Sequence, residues 1–398
     1  MFGHLDPAKA GAGQKNLTAA FLAPRLRPLL YQILLAAALC LAAWYLVSSA
    51  AQNLSDLGIA AGFGFLSREA GFAIGETTLL SYSAADTYLR ALAVGFLNTV
   101  RAATLAIVFA TALGVLIGLA RLSTNWLVAK ATAGYVEVLR NVPLVVQLFF
   151  WYALITESLP GPGDALHPFP AIFISNRGLV FPVFKLGPVD GWLIALILLA
   201  VLIIVAWILR PGPAPTAHQQ IKIPVALVAG SAATLFVSAS AGIEIEYPVF
   251  SGFNFTGGVS LSPEFTALFV GLTLYTAAFI AEIVRAGILA VDRGQFEAAH
   301  SLGLTQRQVM RFIVLPQALR VIVPPLTSQY MNCTKNSSLA VAIGYPDLVS
   351  VANTTINQTG QAVEGIAIIM LVYLSISLAI SALMYWYNRR FALRGNRR

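Results

Sequence analysis

The sequence predicts an all-α polytopic membrane protein with about eight transmembrane helices, on three observations. Of its 398 residues 58% are hydrophobic and only 11% are charged, whereas soluble domains carry about 25% charged residues. The mean hydropathy is +0.77. Runs of roughly 20 apolar residues, the length that crosses about 30 Å of hydrocarbon, recur along the chain. So few charges cannot cover a soluble surface, which excludes a soluble enzyme. In lipid each backbone polar group must pair within its own segment, so every run reads as a helix.

The elements follow in order. Residues 1–28 form a short polar tail, and 29–48 a first span. Val47 to Ala51 imitates a signal-peptidase site, but the long preceding segment and long apolar run favour an uncleaved anchor. Residues 49–93 are a loop, followed by spans at 94–120 and 133–156. The stretch 157–189 is dense in Pro and Gly and reads as an extended loop. Spans at 190–209 and 222–241 flank a stiff linker, Pro211-Gly-Pro-Ala-Pro215. The last spans are 263–286, 317–338 and 363–387, with the seventh broken by Pro324 and Pro325, and 389–398 is a basic tail.

Lys and Arg orient the spans. With the N-terminus inside, nineteen of the 25 basic residues fall on inner segments; only Arg68, Arg90, Arg101, Arg177, Lys185 and Lys335 do not. Both termini are therefore expected in the cytoplasm. The net charge of +8 then reflects topology signals facing anionic lipid rather than nucleic acid.

No catalytic residue, metal site or cofactor is expected. Cys40 and Cys333 are far apart, and His4, His167, His218 and His300 are scattered. Without a Gly-Lys dipeptide there is no Walker A loop.

The polar stretch between the sixth and seventh spans is patterned: Glu297-Ala298-Ala299, Gly303 four residues on, then Ile313-Val-Leu-Pro316. Ala298 and Ala299 favour helix and allow close approach. Gly303 permits a turn that a Cβ would resist. Arg307 and Arg311, at i and i+4, share a face of the second helix, and Pro316 is expected to stop it before the next span.

This pattern matches the loop that marks inner-membrane permease subunits of bacterial ABC importers. Gly95 to Ser123, Tyr135 to Phe150, Ala281 to Gly287 and Lys335 to Gly344 resemble the polar amino-acid (histidine/glutamine-type) branch. The enlarged layout, with Asn141-Val-Pro143, is similar to general L-amino-acid transporter permeases. The resemblance covers 91–388, interrupted by an insertion at about 157–260. It implies a type I permease core of five helices with three added, one N-terminal and two in the insertion. It also implies an inner-membrane location and a coupling loop at about 292–316. The expected partners are cytoplasmic ATP-binding subunits, a periplasmic solute-binding protein and a second permease, either a sister chain or a second copy. Hydrolysis would lie on the ATPase, and the chain would form the path for polar L-amino acids.

Charges near spans are costly and call for partners. Glu282 and Arg285, at i and i+3, are expected to pair with each other or with the coupling loop, the other reading being a solute contact. Glu137 and Arg140, also at i and i+3, are expected to form an inner-interface pair. Lys335, beside Asn336 and Ser338, either snorkels to the headgroups or lines the path and draws in a solute carboxylate. The carbonyls freed by Pro324 and Pro325 would place that span beside a wet cavity. The rival reading, an ion-gradient-driven secondary carrier, would need mid-span acids or a two-fold repeat, and neither is visible.

Overall fold

A computed structural model describes residues 26–56, 62–186 and 243–392; the expected spans at 190–209 and 222–241 lie outside them. Helix α1, Leu26–Asp56, contains the shorter apolar stretch Leu30–Leu46. Among the described residues four stretches are long and apolar enough to cross a membrane: Tyr88–Ala120, Pro263–Leu289, Gln306–Ile343 and Ala362–Asn388. A bent pair of helices makes up to five. The chain is therefore mostly helical and suited to several membrane crossings.

The span expected at 133–156 is sharply bent rather than straight. Helices α3, Trp126–Asn141, and α4, Leu144–Ala153, meet at 104°. Pro143 lacks an N–H and forces Val142 out of the helical region, to φ −86 and ψ 127. A π-turn, Leu154–Ser158, follows.

One correction concerns the class, which is not purely α. The stretch expected to be an extended loop forms strands β1, Leu166–Phe169, β2, Ile172–Ser175, β3, Gly178–Phe181, and β4, Val183–Leu186. The far side of the insertion adds β5, Ile243–Glu246, β6, Val249–Phe250, β7, Phe255–Thr256, and β8, Val259–Leu261. β1, β2, β3 and β8 form one antiparallel sheet, with β4–β5 and β6–β7 as separate pairs. Phe, Ile and Val in short runs between turn residues favour strands. Ser175 pairs with Gly178 across the two-residue turn Asn176-Arg177.

The bundle is built on α2, Tyr88–Ala120, against α5, Pro263–Leu289. Ala102, Ala106, Ala110, Gly114 and Gly118 recur every four residues along α2, all buried. Ala110, Gly114 and Gly118 face Ala277, Ile280, Ala281 and Val284 of α5, and Ala102 and Ala106 cluster with Phe265, Leu268 and Leu272 of the same helix. Small residues let two backbones approach closely, the main source of helix adhesion where lipid removes the hydrophobic drive.

After α5 come α6, Arg293–Ser301, α7, Gln306–Val309, a π-turn, Met310–Val314, and α8, Leu315–Asn336. The expected break at Pro324 and Pro325 is absent: both sit inside α8, within one 38-residue helical stretch, Gln306–Ile343. A 3₁₀ turn, Ser337–Ile343, leads to α9, Leu348–Thr359, and α10, Ala362–Ala392.

Asp347 caps α9, its Oδ1 accepting from the Ser350 N–H at 2.8 Å. The residue is fully buried. Burial pushes its carboxyl up to about 6, from an ordinary 3.8. A raised carboxyl favours the folded state while protonated, so that contribution is complete below pH 3.8 and is lost as pH rises through 6. Asp347→Asn keeps the capping acceptor and removes the charge. In thermal unfolding of the solubilised protein it should flatten the pH dependence between these values. At pH 7.5 it should raise the midpoint by a few degrees, on the order expected for about 1 kcal/mol. An unchanged pH profile would show that this carboxyl does not titrate there.

Candidate functional site

The polar loop 292–316 folds back on the bundle. Asp292 caps α6 by accepting from the Gly294 N–H at 2.6 Å. The helix ends with Gly303 N–H donating to the His300 carbonyl at 2.9 Å and Leu304 N–H to that of Ala299 at 3.2 Å. Gly303 takes φ +74, the left-handed conformation that closes helices and favours glycine. Thr305 and Gln308 then form a reciprocal capping box that starts α7.

Which residues face outward differs in part from expectation. Glu297, Ala298, Gly303, Arg307 and Arg311 are exposed, and Leu302, at the tip, is 81% exposed. Ala299 is buried. It joins Val309, Val314, Ala318 and Ile322 against Ala110, Ala277 and Ile280 of the bundle, so its small size serves the chain's own packing. Pro316 does not stop the second helix. It follows directly on the π-turn, where the Leu315 N–H reaches back to the Met310 carbonyl, and this local widening of the helix accommodates the proline so that the helical stretch runs on.

The same end of the bundle holds a charge cluster. Arg121, just past α2, hydrogen-bonds Glu282 of α5. Arg285 Nη2 donates to the other Glu282 oxygen at 2.6 Å. Glu282 thus ties two helices through a partner 161 residues away. The expected Glu137–Arg140 pair is not formed: no ion pair joins them among the described residues. Arg140 instead lies over the Phe279 ring, 5.1 Å from its centroid, because α5 brings an aromatic face to the last turn of α3. Arg121, Glu137, Arg140, Asn141, Phe279 and Glu282 line a cavity of about 460 Å³.

Further along α8, Lys335 is exposed and its carbonyl accepts from Ser338 Oγ at 2.7 Å. Asn336 is half-buried. Pro324, Pro325, Ser328, Asn332 and Lys335 are all exposed or half-buried, and their spacing puts them on one helical face. The structure does not bring this face together with the Glu282 cluster.

Sequence reasoning missed a second buried pair. Arg101 Nη1 sits 2.7 Å from Glu76 Oε1, with both side chains nearly enclosed, and its guanidinium lies 4.2 Å from the Phe265 ring centroid. Asn98 Nδ2 donates to the Glu76 and Pro346 carbonyls at 2.9 and 3.0 Å. The signal was an arginine inside an apolar run, which must find a partner; its identity was not readable. Among the described residues no group of His, Cys, Asp or Glu could hold a metal ion.

Comparison with known proteins places this architecture. Residues 224–393 match the family model of the binding-protein-dependent transport system inner membrane component. The chain is 48% identical to Escherichia coli (strain K12) YhdX, named for an amino-acid ABC transporter permease, over 94% of this chain and 96% of that one. It is 45% identical to the general L-amino acid transport system permease protein AapQ of Rhizobium johnstonii, over 93% of each chain. It is 41% identical, over 98% of each, to the glutamate/glutamine/aspartate/asparagine transport system permease protein BztB of Rhodobacter capsulatus. With identities this high over nearly the full length, the chain belongs to the amino-acid ABC transporter permeases, the non-enzymatic membrane subunits of ATP-driven importers.

Proposed function

We propose that the chain forms the translocation path for polar L-amino acids and transmits to it the motion of separate cytoplasmic ATPase subunits. A periplasmic binding protein would deliver the solute, and a second permease, sister or copy, would complete the path. The substrate class is supported by relatives named for general L-amino acids and for glutamate, glutamine, aspartate and asparagine. None of those names points to an ion-gradient carrier.

The observation that carries the mechanism is the continuity of the loop with α8. Glu297, Ala298, Leu302, Gly303, Arg307 and Arg311 present an exposed helix–turn–helix to a partner's groove. The second helix continues unbroken through Pro316, Pro324 and Pro325 to Ile343, about 57 Å at 1.5 Å per residue. The loop and the face bearing Lys335 therefore belong to one continuous helical stretch, along which a push on the loop would be passed. That suits alternating access, in which packed elements rock as bodies. On this reading Lys335, Asn336 and Ser338 line the path, and the polar face of α8 is covered by water or by the second permease rather than by lipid. Glu282, with Arg121 and Arg285, keeps α2 and α5 together at the cytoplasmic end during the motion.

The proposed topology has eight spans, five in the core, one added at 29–48 and two in the insertion at about 157–260. Residues 91–388 form the transmembrane domain, and the tails 1–28 and 389–398 are cytoplasmic. The β-strands would then lie outside. Cysteines at Ser158 and Ser251 should react with an impermeant thiol reagent in intact spheroplasts, and one at Ser301 only after lysis. The opposite pattern would overturn the orientation. Function is tested in proteoliposomes: labelled glutamate or glutamine should enter only with ATP, the ATPase and the binding protein present. Uptake driven by an ion gradient without an ATPase would sink the proposal.

A further inference from the structure

The cavity between α2, α3 and α5 carries opposite charges in equal number, Arg121 and Arg140 against Glu137 and Glu282. Arg121 and Glu282 are already engaged with each other. Glu137 and Arg140 have no ion partner among the described residues. They lie at i and i+3 of one helix, so they occupy neighbouring positions on its surface. Arg140 is stacked on Phe279, which steadies the guanidinium while leaving N–H donors for an acid group. The volume, about 460 Å³, is that of an open groove, with Glu137 and Arg140 both exposed at its edge.

With Glu282 held by both Arg121 and Arg285, a simple anion on Arg140 would face the unpaired Glu137 one turn away, and a simple cation on Glu137 would face Arg140. A molecule carrying both charges a few ångströms apart satisfies both free groups. We infer that this cavity binds a small zwitterion, its acid group on Arg140 and its ammonium on Glu137. The chemistry is that of a free amino acid, and it is shared by the headgroup of phosphatidylethanolamine. For the amino acid the inference rests on the proposed substrate class and places a solute site beside the coupling loop. Occupancy there would bridge α3 to α5 and report accumulated solute.

The test uses the permease–ATPase complex, without binding protein, in phosphatidylcholine nanodiscs. Labelled L-glutamine should bind saturably, and unlabelled glycine should compete where equal concentrations of acetate or methylammonium do not. Arg140→Gln and Glu137→Gln should each weaken binding at least tenfold while still co-eluting with the ATPase, and Arg140→Lys should recover part of the loss. In nanodiscs containing phosphatidylethanolamine, lost glutamine binding together with Arg140-dependent retention of that lipid would make the lipid the occupant. Equal affinity in wild type and both Gln variants, or no saturable binding of either ligand, overturns the site. Normal amino-acid uptake beside that result would leave the proposed function standing. Arg140-dependent glycine binding in a complex that imports no amino acid would do the reverse.

Discussion

Gly303→Asp is expected to give a permease that inserts and folds but no longer answers its ATPase. The position lies in the turn between α6 and α7, and a Cβ built there meets nothing within 4 Å. The intrachain cost is only that of placing an L residue at φ +74, about 1 kcal/mol and less for Asp than for most residues. A greater cost arises on docking, when the new carboxylate is pressed against a partner surface. An unpaired buried charge costs several kcal/mol, and each 1.4 kcal/mol is about a factor of ten. Solute-stimulated ATP hydrolysis by the reconstituted complex should fall by about a hundredfold or more. Gly303→Ala, which adds the Cβ without the charge, should lose less than tenfold, and Glu297→Ala should also be mild because that side chain is exposed. Wild-type stimulation in Gly303→Asp would mean that this turn does not touch the ATPase.

Gly114→Leu should fail earlier, at folding. A Cβ at Gly114 already falls 2.7 Å from Ile280 Cβ and Cγ2 and 2.9 Å from the Ala277 carbonyl. Real contacts are not that short, so the backbones of α2 and α5 must part along a seam where Ala106, Ala110, Ala277 and Ile280 are fully buried. Overpacking a well-filled core costs about 1–3 kcal/mol where neighbours can adjust. Here a carbonyl and a β-branched carbon leave little room, so the upper end or more is expected. The readout is the yield of monodisperse complex and its melting temperature. Gly134→Leu is the control, since a Cβ there meets nothing within 4 Å. Equal yields for the two variants would show that the seam does not hold the bundle together.

Much of this arrangement was legible from local signals. The apolar runs mark the helices of the bundle because lipid exposure is a property of a contiguous segment. The turn at Gly303 is readable because only glycine takes that backbone conformation at little cost. Other readings failed where a local rule met a tertiary context. Pro324 and Pro325 suggested a broken span, yet the helix is unbroken through both. The Pro- and Gly-rich insertion reads as loop although β1, β2 and β3 pair as local hairpins; only the pairing of Leu179 with Leu261 lies beyond a local window. Ala299 suited an interface by size, but its burial against the bundle depends on how the loop folds back.

The sequence by itself determined the membrane class, the positions of the described apolar helices, the patterned loop and the absence of a Walker A loop, since these depend on composition and on spacing along one chain. Only the tertiary structure decided which charges meet. Glu282 has Arg285 one turn away and was expected to take it, yet it also takes Arg121. Glu137 and Arg140 have the same spacing and do not pair, because Phe279 stands where α5 packs on α3. A charge near lipid must be compensated, and this requirement can be read from the sequence. Its partner is whichever group helix packing brings within reach, and that packing follows from contacts between helices far apart in the chain.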